Sequence, residues 1–136
     1  MSTILVNTLT GTSTAGSIAV TGEGNSTTTN LQQGLCKAWT RYNGNGTVAI
    51  DDSFNTASLT DNGTGIYTTA WTSAFGNANY SAAGFCESLS DADSAMVVQR
   101  SSDSFAAGSL KHSTMRGDNN FIDSRRIGIN TFGDLA

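Results

Sequence analysis

Proline is absent from this chain, and charge is scarce. With no proline and 15 glycines in 136 residues, its turns must use positive φ at Gly and Asn rather than the fixed φ of a pyrrolidine ring. Charged residues make up 13 %, against about 25 % in ordinary globular domains. The net charge is −4 and the pI is near 4.6. No basic stretch offers counterion release along a phosphate backbone, which argues against a nucleic-acid partner. The late basic residues Arg100, Lys111, Arg116, Arg125 and Arg126 are scattered, as on a solvated face. No apolar run approaches the roughly 18 residues of a membrane-spanning helix, so no membrane partner is expected. The opening MSTILVNTLTG has neither a basic n-region nor an apolar h-region, so no signal peptide is expected. Cys36 and Cys86 are not in CxxC spacing and have no histidine nearby in sequence, so metal binding is not expected. In a reducing cytosol they should stay unbridged, as two small half-apolar side chains.

Ser, Thr, Asn and Gly fill the space left by charge. Hydrophobic residues reach 38 %, somewhat below the usual share of about 45–50 %. Ser and Thr cost less to desolvate than Lys or Glu and lose less side-chain entropy, so such a surface suits burial in a large polar subunit interface. The length suits one domain with a short arm. Residues 1–28 hold only two isolated apolar clusters, Ile4-Leu5-Val6 and Ile18-Ala19-Val20, each bounded by turn-forming residues. This segment cannot make a core of its own and is read as an extended attachment arm. Residues 29–136 are read as the folded domain.

Within that domain the pattern is a β-meander. Thr29 or Asn30 is placed to cap a helical turn at Leu31, which Gly34 shortens. Strands are predicted at Lys37–Tyr42, Thr47–Ile50, Ser53–Leu59, Ile66–Thr72, Asn79–Glu87, Ala95–Arg100, Leu110–Thr114, Phe121-Ile122 and Ile127–Phe132. Asn43-Gly44-Asn45-Gly46 and Asp61-Asn62-Gly63-Thr64-Gly65 are strong hairpin turns, with positive φ expected at Gly63 and Gly65. In Ile66–Thr72 the alternation puts Tyr67, Thr69 and Trp71 on one face. Many short strands at this spacing indicate an all-β, antiparallel sandwich or barrel.

Three segments carry a resemblance. They are Asn30-Leu31-Gln32-Gln33-Gly34-Leu35-Cys36-Lys37-Ala38-Trp39, then Asn43-Gly44-Asn45-Gly46-Thr47-Val48-Ala49-Ile50 with Ser53-Phe54-Asn55, then Leu59 to Tyr67 with Ala78-Asn79-Tyr80. In this order they resemble a domain of virion structural proteins of tailed phages, particularly marine ones, often described as tail-fibre proteins. The resemblance spans roughly residues 29–85, and the opening MSTILVNTLTG and the closing Arg126–Gly133 are similar to the ends of such proteins. Cys36 stands where that pattern often has Ala, and Ile66 where it often has Asp. The resemblance implies a jelly-roll-like β-sandwich that assembles as a homotrimer, located in the virion after assembly in the bacterial cytoplasm. For a chain this short, a head-surface decoration subunit and a short fibre are both open. Other virion proteins (capsid, portal or tail) would be reached through the arm.

Catalytic chemistry is poorly supported. His112 is the only histidine. Ser109 and Ser113 are near it in sequence, but no nucleophile elbow is present, so His112 reads as a strand-edge or interface residue rather than a triad member. Adjacent Asp51 and Asp52 face opposite ways on a strand, which does not suit a paired-carboxylate glycosidase. Asp91 and Asp93 share a face but lack the glycine and distal glutamate of a calcium loop. Gly63-Thr64-Gly65 has no accompanying lysine to make a phosphate cradle. Trp39, Trp71, Tyr67 and Tyr80 would stack on sugar rings if exposed, but in a small β-domain they read first as core. The expectation is therefore a non-enzymatic assembly protein without catalytic, cofactor or metal residues. The alternative is a receptor-binding module for a host glycan or surface protein.

Overall fold

A computed structural model describes residues 3–11, 18–22, 27–88 and 95–136. By its contacts the chain divides into two units, Met1–Leu35 and Cys36–Ala136. In the first unit, β1 (Ala19–Thr21) pairs antiparallel with β2 (Thr28–Asn30). A single helical turn, α1 (Leu31–Gly34), follows at once. Asn30 is its cap: the side-chain oxygen accepts from the Gln33 amide at 3.2 Å, meeting one of the donors a helix start leaves unpaired. The Leu31 amide bonds the Ile18 carbonyl at 2.7 Å. That bond and the β1–β2 ladder group residues 29–35 with the first unit rather than with the start of the sandwich. No strand forms at Ile4-Leu5-Val6.

The second unit is all-β. One sheet has the order β4 (Ala49–Phe54), β3 (Ala38–Asn43), β11 (Ile127–Phe132), β7 (Ser81–Cys86). The other has the order β5 (Thr56–Asp61), β6 (Ile66–Trp71), β10 (Ser109–Arg116), β8 (Ala95–Val98), with the short β9 (Phe105–Ala106) also on β10. All pairings are antiparallel. Strand alternation decides what lies between the sheets. Ala38, Thr40 and Tyr42 of β3 are buried, with Ile127, Ile129 and Thr131 of β11, against Tyr67, Thr69 and Trp71 of β6 and Leu110, His112 and Thr114 of β10. The face predicted for Tyr67, Thr69 and Trp71 is thus the core face. Three of these threonines have partners for their hydroxyls: Thr40 bonds Thr56 at 2.6 Å, Thr131 donates to the Ala38 carbonyl at 2.9 Å and Thr114 bonds the Ile122 carbonyl, whereas the Thr69 hydroxyl is buried without one. One end of the core is aromatic, with Phe75 stacked on Tyr80 at 4.2 Å between ring centres and Trp71 edge-on to both.

The expected hairpin turns form. Gly63 has φ 118° and Gly65 φ 64°, and the Asp61 carboxylate accepts from the Gly63 amide at 2.9 Å. Gly65 also has no room for a side chain, since a Cβ would sit 2.6 Å from the Thr114 carbonyl oxygen. The jelly-roll order does not form. In a jelly roll successive strands fall in opposite sheets, whereas here the Asn43–Gly46 and Asp61–Gly65 turns are tight enough to keep β3 beside β4 and β5 beside β6 in the same sheet. The predicted strand Ser53–Leu59 is broken at Asn55, a residue with φ 57° where the chain leaves β4 in one sheet and enters β5 in the other. The Asn55 side chain fixes this corner. Its Nδ2 donates to the carbonyls of Lys37 and Ser73, and its Oδ1 accepts from the Ser73 amide.

Cys36 and Cys86 are unbridged, and the register shows why. Ala38 lies opposite Thr131 of β11 and Cys86 opposite Ile127. Four residues along β11 span about 13 Å, and the two strands stand two ladder spacings of about 4.8 Å apart. Cys36 precedes Ala38 and lies farther still, whereas a disulfide needs Cα atoms within about 7 Å. Protein purified without reductant and then denatured is expected to titrate two thiols per chain. A linked Cys36–Cys86 peptide in non-reducing mass spectrometry would contradict this register.

Candidate functional site

His112 is the residue with the most chemical potential, and the sandwich encloses it. Rather than lying at a strand edge or an interface, it sits on the central strand β10 and is 2 % exposed. The edge reading fails because β10 is flanked by β6 and β8, and position 112 shares the inward phase with Leu110 and Thr114. Its Nε2 lies 2.6 Å from the Tyr42 hydroxyl of the facing sheet. Tyr42 packs edge-on to Tyr67 at 5.1 Å between ring centres. Tyr67 donates to Asp123 at 3.0 Å and lies 3.1 Å from the Gly44 carbonyl. The Gly65 amide donates to the same Asp123 oxygen at 2.7 Å. A polar chain thus crosses the core from β10 to the Asp61–Gly65 turn.

Burial sets the protonation of this chain. Desolvation pushes His112 down to about 4, against smaller upward pulls from the Leu110 backbone and Asp103. Desolvation also raises the phenols of Tyr42 and Tyr67 far above their usual range, helped at Tyr67 by the Asp123 carboxylate. At neutral pH the imidazole is uncharged and Tyr42 keeps its proton; with the imidazole proton on Nδ1, Tyr42 donates to Nε2. A general base needs a proton donor from solvent or substrate within reach, and here the imidazole's partner is a core phenol. Ser113 takes the opposite phase on β10. Its hydroxyl donates to Asp103 at 2.9 Å, with the Arg100 amide on the same oxygen. The serine, histidine and carboxylate face different ways and make no triad. Ser109 also lies on β10, where its carbonyl accepts from the Tyr80 hydroxyl at 2.9 Å. Asp51 is 3.7 Å from Arg41, and Asp52 accepts from the Ser53 amide; both are exposed. Gly63-Thr64-Gly65 is a hairpin turn. Asp91 and Asp93 lie outside the described residues. Among the described residues no cluster of three metal-ligating side chains occurs, and no helix is long and apolar enough to cross a membrane.

Of the four aromatic residues singled out by sequence, Trp71, Tyr67 and Tyr80 are core. Trp39 is on the outward face of the β4-β3-β11-β7 sheet and is partly exposed. Three aromatics that the sequence reading did not select share its face: Phe54 at 54 % exposure, Phe85 at 60 % and Phe132 at 37 %. The register places Trp39 beside Phe54 on β4 and Asn130 on β11, and Phe85 beside Gly128, which is followed by Arg41. The Phe85 ring lies so close over Gly128 that any Cβ there would collide with it. The signal was available: in Ile127–Phe132 the odd positions are aliphatic or Thr and point inward, which puts Phe132 outward. An outward-phase aromatic on an exposed sheet face marks a contact surface more often than an isolated exposed aliphatic does.

The chain passes between the sheets on both long sides of the sandwich, at Asn55 and again from β7 to β8. On the Asn55 side the flanking edge strands carry Asp51, Asp52 and Asp61. On the other side, β7 and β8 are the edges and carry no charged side chain. Between them lies a cavity of about 100 Å³ reaching in to His112. A scan of protein-family models, a search of curated proteins and a search of solved structures each gave no match.

Proposed function

We propose that this chain is a non-enzymatic structural protein of a tailed-phage virion, a small fibre or head-surface decoration subunit that works by assembling. The observation that carries the reading is the outward face of the β4-β3-β11-β7 sheet. Phe54, Phe85 and Phe132 are exposed there beside Trp39, on a weakly charged chain. Such a face gains from burial against another subunit, and the Ser/Thr-rich surroundings cost little to desolvate. The sequence resemblance over residues 29–85 supports the virion assignment, and the enclosure of His112 is consistent with a role that needs no catalysis. In this reading the protein is a homotrimer closed by three-fold symmetry. The N-terminal segment ties it to its neighbours, and it is found in the virion after assembly in the host cytoplasm.

The same face also favours a second reading, a receptor-binding module. Trp39 and Phe54 beside Arg41 and Asn130 combine stacking surfaces with hydrogen-bonding groups, as sugar recognition requires. Purified particles of the phage carrying this gene separate the cases. The structural reading expects many copies per particle by mass spectrometry and three-fold density for them by cryo-electron microscopy. Absence of the chain from intact particles would refute it. Saturable glycan binding abolished by Trp39→Ala, with assembly unchanged, would favour the receptor reading.

A further inference from the structure

We propose that Asn45 is a site of spontaneous covalent modification, where the folded chain converts asparagine to aspartate and isoaspartate through a cyclic imide with Gly46. The inference goes beyond the assembly reading and does not depend on it.

In an Asn-Gly pair the glycine nitrogen can reach the asparagine Cγ, because glycine has no side chain to block the approach. A bond forms between that nitrogen and Cγ, and the bond from Cγ to the side-chain amide nitrogen breaks. Ammonia leaves with the proton that the glycine N–H gives up. Water then opens the five-membered imide at either carbonyl, giving aspartate or isoaspartate, so solvent is the only co-reactant. Two groups must be at liberty: the side-chain amide, which turns its carbon toward the main chain, and the glycine N–H, which releases its proton. A hydrogen bond on either group has to break first, which lowers the reactive population.

The chain has three such pairs, Asn43-Gly44, Asn45-Gly46 and Asn62-Gly63, and the fold treats them differently. The Asn43 side chain donates to the carbonyls of Asn45 at 2.8 Å and Thr47 at 3.4 Å, and accepts from the Asn45 amide at 3.2 Å. The Gly44 amide donates to the Ser124 carbonyl at 2.9 Å, and Gly44 is buried against Tyr67 and Ile127. Asn62 is exposed yet held as firmly. Its Nδ2 donates to the Thr68 hydroxyl at 2.9 Å and the Thr60 carbonyl at 3.4 Å, while the Gly63 amide donates to the Asp61 carboxylate at 2.9 Å. Asn45 is bonded through its main chain alone, to the Asn43 side chain. Among the described residues its own side chain and the Gly46 amide have no hydrogen-bond partner. Gly46 is exposed, and a Cβ there would meet nothing within 4 Å, so the turn has room to bring the reacting atoms together. Exposure alone would rank Asn62 first, since Asn45 is half-buried; the bonding ranks Asn45 first. The product alters its own turn. Either form adds a negative charge to a chain of net charge −4. Isoaspartate also lengthens the main chain at residue 45, between the amide and the carbonyl that Asn43 holds.

The test ages full-length protein in warm, mildly alkaline buffer. Chymotryptic peptides are followed by mass spectrometry, with fragmentation that separates residue 43 from residue 45 and isoaspartate from aspartate. The same protein unfolded in guanidinium is the reference. In the folded protein Asn45 is expected to convert at least about tenfold faster than Asn62 or Asn43, a factor matching roughly one net hydrogen bond. In guanidinium that difference should collapse. Asp61→Ala, which frees the Gly63 amide, should raise the Asn62 rate several-fold and leave the Asn45 rate unchanged. An Asn62 rate equal to or above that of Asn45 in the folded wild type overturns the proposal. So does a folded Asn45 that stays intact while the unfolded chain converts. An Asn62 rate that Asp61→Ala does not move overturns the hydrogen-bond ranking on which the proposal rests.

Discussion

Tyr42→Ala is expected to destabilise the sandwich by about 3–5 kcal/mol, the range for removing a large aromatic from a packed core. Tyr42 is fully buried on β3 and has two partners across the inter-sheet space, Tyr67 and His112. It packs edge-on to Tyr67, lies 5.9 Å from the His112 ring centre, and hydrogen-bonds Nε2 at 2.6 Å. Truncation opens a void and strands a buried imidazole nitrogen. Tyr42→Phe separates the two effects. It keeps the ring and loses only the donor, so its expected cost is about 1–3 kcal/mol, that of leaving one buried acceptor unmet. In His112→Phe, Tyr42→Phe should then cost less than in wild type, because the acceptor is already gone. Urea unfolding of the four proteins checks this. Equal costs for Tyr42→Phe in both backgrounds would show that the bond contributes nothing.

Acidification from pH 7 to pH 4 is expected to remove about 3 kcal/mol of stability through His112 alone. Its folded-state value of about 4 lies below its ordinary 6.5, and each unit corresponds to about 1.36 kcal/mol. For a base whose value falls on folding, the unfolded chain takes up the proton first. Stability is therefore fully present above about pH 6.5, is lost as pH falls toward 4, and changes no further below that. Carboxylates titrate in part of this window, so the informative quantity is the difference from His112→Gln, which keeps a polar partner for Tyr42 but does not titrate there. The wild-type-minus-variant stability should fall between pH 6.5 and 4. A flat difference would mean that the imidazole is charged or solvated in the folded state.

The parts of the fold legible in sequence are those written in local chemistry. Asn-Gly turns, the Asn30 cap and the Tyr67-Thr69-Trp71 alternation each concern residues within a few positions of one another, and each took the expected form. What the sequence hid is non-local. Periodicity says which face a strand buries but not which strand lies beside it, so the jelly-roll order was replaced by two in-sheet hairpins followed by long-range pairing of β6 with β10 and β3 with β11. The sheet switch at Asn55 depends on bonds to Lys37 and Ser73, each eighteen residues away. His112, with no catalytic motif around it, reads from sequence as a strand-edge or interface residue, and nothing local marks it as buried. Its burial depends on Tyr42, seventy residues earlier. For the candidate surface, Trp39 was singled out by type alone, while Phe54, Phe85 and Phe132 needed the register to show that they share its face.

The central claim is that this protein acts by assembling, and the most direct measurement is its mass in solution. Multi-angle light scattering of the full chain at micromolar concentration should give three times the 14.1 kDa chain mass, and Phe85→Asp with Phe54→Asp should shift that mass toward one chain while leaving the fold intact. A stable monomer of the unaltered chain across the micromolar range would contradict the account.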